Sequence, residues 1–131
     1  MRPSLAATTL AVLALCGCGG GGGSARHDTN AGAPQADKCL RDAGAKVTGD
    51  PDHRPPGGGI GLERELVASL ESAGAFIAFY DTEAHAKAAE PGVRKGADKF
   101  GGLVVRDQNT TIAYTKKPSG DVRKRVEDCL F

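Results

Sequence analysis

The 131-residue chain has no tryptophan, one methionine, two tyrosines and four phenylalanines. So few rings argue against a large aromatic-lined pocket. Charge of one sign is missing as well, with 17 Lys+Arg against 16 Asp+Glu. Arg2 is the only charged residue of the first seventeen, so their removal leaves 16 basic against 16 acidic side chains. Such a balance creates no global field for DNA, RNA or an acidic membrane surface, and a nucleic-acid role is disfavoured. No apolar run reaches the roughly 20 residues that span a hydrocarbon core. There is no Cys-x-x-Cys, no Walker Lys-Ser/Thr after a glycine loop, no serine elbow and no internal repeat.

Glycine is abundant, at 19 residues, and it clusters at 19–23 and 57–61 without a collagen period. The start of the chain is equally distinct. Residues 1–4 (MRPS) carry one positive charge, residues 5–15 (LAATTLAVLAL) are uncharged and largely apolar, and small residues follow. This is the three-part plan of a secretory signal. A buried domain helix is the rival reading, and the glycine tract directly behind it would disconnect such a helix.

The leader closes on Leu15-Cys16-Gly17-Cys18. As a metal site Cys-Gly-Cys is poor, because zinc pairs are spaced by two to four residues and need a second pair. A redox pair would need two intervening residues near a helix start. The four residues instead resemble the lipobox of bacterial lipoproteins, Leu-small-small-Cys. The resemblance covers only residues 1–18 and departs from the usual pattern in placing Cys16 second. It implies cleavage before Cys18, a diacylglyceryl thioether on its sulfur and an address on the extracytoplasmic face of the cell membrane. Two or more acyl chains anchor stably, at about 0.8 kcal/mol per buried CH₂.

Cys39 and Cys129 then remain, near opposite ends of the presumed domain. In an exported protein such a pair reads as a disulfide; two reactive thiols are the alternative. The expected organisation is a signal peptide at 1–17, a lipidated Cys18 with a Gly-rich tether to residue 35, and one small domain over 36–131. The tether would reach roughly 20–25 Å as a flexible coil, and His27 within it reads as inert.

Within the domain, residues 36–43 (ADKCLRDA) predict a helix stopped by Gly44, residues 45–48 a weak strand, and 49–61 a long Pro/Gly loop. Residues 62–73 (LERELVASLESA) carry Leu62, Leu66, Val67 and Leu70 at helical spacing and predict a helix. Residues 75–80 (AFIAFY) predict a central strand. Asp81 or Thr82 caps a helix over 83–89 that Pro91-Gly92 breaks, with a possible second segment over 93–100. Strands over 103–106 and 110–115 flank the turn residues Asp107-Gln108-Asn109. Ser119 caps a last helix with the stripe Val122, Val126, Cys129, Leu130.

The order, a helix then β-α-β-α-β-β-α, predicts an α/β fold on a small mixed four-stranded sheet. It resembles the thioredoxin-like core, or else a two-layer α/β sandwich, and the former implies no redox chemistry without Cys-x-x-Cys. "KCLRDAG", "VVRDQNTTIAYTK" and "RVEDCLF" also resemble small lipoproteins of high-GC actinobacteria, a likeness that supplies no reaction.

Four features invite chemistry. His53 sits in Asp50-Pro-Asp-His-Arg54, where carboxylates and imidazole are close enough for a cation, although the prolines favour a solvated loop. His85 follows the strongest strand, near Asp81 and Thr82, and reads either as an active-site base or as part of a helix cap. Glycines 57, 58, 59 and 61 would precede a helix, as phosphate loops do, but Glu63 and Glu65 take the first turn. Lys116, Lys117, Arg123, Lys124 and Arg125 form a basic cluster interleaved with Asp121, Glu127 and Asp128, a pattern typical of a solvated face. No cofactor or metal is expected. The function expected is a non-enzymatic envelope module that binds a protein, a small ligand or a wall component. The alternative is an enzyme or redox accessory of thioredoxin-like shape.

Mass spectrometry of the membrane fraction should find an acylated N-terminal peptide beginning at Cys18. Cys18→Ser should release the protein from that fraction, and an unacylated, freely soluble wild type would defeat the anchor.

Overall fold

A computed structural model describes residues 29–131; the leader, Cys16, Cys18 and His27 lie outside them. The elements run α1 (Thr29–Asp42), β1 (Lys46–Asp50), β2 (Leu62–Leu70), β3 (Ala73–Tyr80), α2 (Glu83–Asp98), β4 (Leu103–Asp107), β5 (Thr110–Tyr114) and α3 (Gly120–Glu127). The five strands form one sheet in the order β1-β2-β3-β5-β4, and every pairing is antiparallel. The mixed α/β class is as expected. The sheet has five strands in place of four, and the parallel crossover of a thioredoxin-like core is absent.

The added strand is β2, predicted as a helix. Its leucines satisfy two periods at once. From Arg64 onward Leu66, Ala68 and Leu70 alternate into the core, as a strand requires. Between Leu62 and Arg64 the register against β3 shifts, so Leu62 sits on the opposite face beside Tyr80 and Ala86. The leucines that resembled one helical stripe thus serve two faces of a sheet. The two-residue turn Glu71-Ser72 then folds β2 directly onto β3. Long-range pairing overrides local helix propensity here.

Other boundaries follow local chemistry. Helix α1 begins at Thr29, upstream of the predicted Ala36, and buries Ala33, Ala36 and Leu40. It ends where Gly44, at φ 94°, donates to the Arg41 carbonyl while Ala45 donates to that of Leu40. Thr82 and Ser119 cap α2 and α3, accepting from the amides of His85 (3.2 Å) and Val122 (3.3 Å). Helix α2 runs unbroken through Pro91-Gly92, with Ala86 and Ala97 buried on either side of them.

Alternation along the strands divides the molecule. One face presents Val47, Leu66, Ala68, Ala75, Ile77, Phe79, Ile112 and Tyr114 to α1 and α3, and this is the main core. The other presents Val67, Phe76, Ala78 and Ala113, and α2 lies against part of it. Helices therefore flank both faces, in place of the two-layer sandwich that stood as the alternative. Cys39 on α1 and Cys129 just past α3 are joined, with Cα atoms 5.6 Å apart across 90 residues of sequence. Arg125 adds a polar tie, pairing with Glu71 at 2.6 Å and Asp121 at 2.9 Å.

Closing a loop of that length removes roughly 4–5 kcal/mol of unfolded-state entropy in the chain model. The double variant Cys39→Ser/Cys129→Ser should lose about that much in urea unfolding, and a loss below about 1 kcal/mol would deny the bridge its stabilising role.

Candidate functional site

The histidine candidates resolve into local structural devices. The Asp50 carboxylate accepts from the amides of Asp52 (2.9 Å) and His53 (3.2 Å), and its second oxygen meets His53 Nδ1 at 2.8 Å. Both side chains are largely exposed, which makes this an Asx turn on a solvated loop. His85 Nδ1 lies 2.6 Å from Asp81 Oδ1, one turn along the start of α2. Hydrogen bonding from His85, then its charge and the Thr82 contacts, hold the Asp81 carboxyl below its ordinary range.

Gly61 explains the end of the glycine run. It has φ 75°, and its carbonyl accepts from the Asp81 amide at 2.8 Å. A Cβ there would come within 2.4 Å of His85 Nδ1 and 2.5 Å of Asp81 Oδ1. The glycines therefore lead into strand β2, with Gly61 packed against the cap of α2; they do not run into a helix as a phosphate loop does. No group of three His, Cys, Asp or Glu suited to a metal occurs among the described residues. Of the basic cluster, Arg123 pairs with Glu127, Lys124 with Asp128 and Arg125 with Asp121, all one helical turn apart. Lys116 and Lys117 border a separate hollow with Glu71 and Ser119.

A larger concavity lies elsewhere, between α2 and the outer face of β3 and β5. It encloses about 480 Å³, and its surface is almost wholly carbon. Phe76 and Ala113 form the floor, Gly92, Val93 and Gly96 one wall, and Phe100 the end. That volume falls within the ~300–1,000 Å³ typical of small-molecule sites. A narrower extension shares Phe76, Val93 and Ala113 and continues along β3 past Ala78 to Leu62 and Tyr80, with Glu65 beside it. Phe76 is 48% exposed and Phe100 73%, so the lining is wetted apolar surface.

Alternation and helix geometry assemble this groove. Phe76 points away from the core because Ala75 and Ile77 point into it. Gly92 and Gly96 lie one turn apart on α2, and a Cβ on either would meet nothing within 4 Å. The opposite flank of α2 is tied to β4, where Arg106 pairs with Glu90 at 2.7 Å and with Glu83 at 3.5 Å. Arg106, then Arg94, holds the Glu90 carboxyl below its usual range. The helix is thus fastened along the β4 side and lifted off the sheet on the β3 side.

No sequence motif marked this groove, since its residues come from three separate segments. The one local signal is Pro91-Gly92, which by residue type predicts a helix break. No protein-family model, curated protein or solved structure matches the chain.

A carboxyl with a lowered pKa stabilises the folded state above the ordinary carboxylate range, and that contribution disappears as pH falls through the lowered value. Asp81→Asn should therefore flatten part of the fall in thermal stability between about pH 5 and pH 2. Gly61→Ala should lower stability by about 1–3 kcal/mol, through the left-handed backbone and displacement of the His85–Asp81 pair. An unchanged acid profile in Asp81→Asn would show that the pair contributes nothing.

Proposed function

We propose that this chain is a lipid-anchored envelope protein whose domain is a non-enzymatic binding module, with the groove beneath α2 as its working surface. The lipobox-like Leu15-Cys16-Gly17-Cys18 supports the address, and the Cys39–Cys129 bridge suits an oxidising compartment outside the cytoplasm. Among the described residues no helix is long and apolar enough to cross a membrane, so the anchor rests on Cys18.

One observation carries the binding role. Gly92 and Gly96 sit inside a helix, where each costs about 1 kcal/mol relative to alanine. Neither has a positive φ, and neither is crowded by a neighbour. Backbone conformation and packing therefore leave both glycines unexplained. What they do provide is open space above Phe76. A fold that gives up helix stability to keep an apolar groove empty fits a site for a ligand.

The full chain should bind the neutral dye N-phenylnaphthylamine with a fluorescence rise at one site per molecule. Gly96→Leu fills the groove with a better helix former. It should weaken dye binding at least about tenfold while the melting temperature holds or rises. Unaltered dye binding in that variant would remove the groove from the function.

A further inference from the structure

Most cations of the domain are neutralised by carboxylates, and those nearest the groove on α2 are not. Lys38, Arg41, Lys87, Arg94, Arg106, Arg123, Lys124 and Arg125 all pair with carboxylates. Lys95 and Lys99 form no ion pair among the described residues, and neither do Lys46, Arg54, Lys116 and Lys117. Lys95 and Lys99 follow Gly92 by three and seven positions, which puts both on its side of α2, next to the stripe of α2 that lines the groove. Lys46 stands across the sheet from them: it pairs with Ser69, and Ser69 with Gly74, whose amide meets Thr115 on the groove wall. The opposite end carries both signs: Glu65 borders the extension beside Tyr80, and the Arg54 guanidinium donates to the Leu62 carbonyl at 2.9 Å.

An apolar trough with unpaired cations at one end and both signs of charge at the other has a defined complement. We propose that the groove binds a single-chain anionic amphiphile of the fatty-acid class, carboxylate toward Lys95 and Lys99 and hydrocarbon tail along β3. The proposal rests on the binding-module reading above and adds the ligand's chemistry and its direction. From Gly74 to Tyr80 the strand offers six residue steps, roughly 20 Å, enough for a long extended chain. At the Tyr80 end Glu65 offsets Arg54, whereas Lys95 and Lys99 stand without carboxylates, so the carboxylate is favoured at the lysine end. A neutral apolar ligand would have no use for the lysines. A flat bilayer surface would not reach the Phe76 floor, which lies under α2.

The ligand is tested by calorimetric titration of the full chain carrying Cys18→Ser, so that no anchor competes, with laurate, myristate and methyl laurate below their aggregation limits. One site is expected, with myristate about tenfold tighter than laurate, as two further buried CH₂ groups require. Laurate should bind about fivefold tighter than its methyl ester, and Lys95→Gln/Lys99→Gln should erase that preference while leaving ester affinity unchanged. Gly96→Leu should abolish all three. If the neutral dye binds and laurate does not, or if acid and ester bind equally, the anionic ligand is wrong and the binding module stands. If neither dye nor laurate binds, both fail. Binding only to phosphatidylglycerol vesicles, or dimerisation that buries Phe76, would also overturn the proposal, in favour of a bilayer or a second copy of the chain.

Discussion

The two-residue alternation of β3 is the constraint on which the rest depends. Ala75, Ile77 and Phe79 enter the core, so Phe76, Ala78 and Tyr80 must stand on the other face. β3 pairs with β2 on one side and β5 on the other, so its register sets both faces of the sheet. With β3 so placed, a second hydrophobic face exists and something has to cover it. Helix α2 covers it only in part, and the groove is the remainder.

The two faces are held by different forces. Behind the sheet, burial and a covalent bridge act together: Leu40, Val122, Val126 and Leu130 are almost fully buried, and Cys39–Cys129 joins the segments that carry them. In front, α2 buries only Ala86 and Ala97 and is fastened through Arg106 to Glu90 and Glu83 on one flank. The Arg106–Glu90 pair is about four-fifths buried and the Glu83 contact half-exposed. Movement of α2 would disturb fewer buried apolar side chains than movement of α1 or α3. The interior also holds polar atoms that lack partners. The hydroxyls of Thr110, Thr111 and Tyr114 are buried without a hydrogen-bond partner among the described residues, and burial pushes the Tyr114 phenol well above its ordinary range.

Local signals were legible wherever chemistry is local. Gly44 ends α1, Thr82 and Ser119 cap their helices, and Gln108-Asn109 turns β4 into β5, all as residue type suggests. The stripe Val122, Val126, Cys129, Leu130 is buried as its spacing predicts. What misled was ambiguity of period. LERELVASL fits a helix by its leucines and fits a strand once a bulge moves Leu62 to the far face, and only pairing with β3 decides. Losing that strand also lost the antiparallel topology. The groove was illegible for another reason: Phe76, Gly92, Gly96 and Ala113 meet only after folding.

Pro91-Gly92 joins these two lessons. In an isolated chain that dipeptide ends a helix, since proline removes a donor and glycine costs about 1 kcal/mol. Here the helix passes through it, because Ala86 and Ala97 are buried on either side and Glu90 is held by Arg106. A small domain is normally stable by only about 5–15 kcal/mol, and two interior glycines with a proline consume a sizeable part of that. A bridge contributing roughly 4–5 kcal/mol offsets the loss. Because the bridge acts on the opposite face, it does so without closing the groove. The disulfide and the glycines then belong to one balance: covalent restraint behind the sheet offsets the cost of an under-packed helix in front of it.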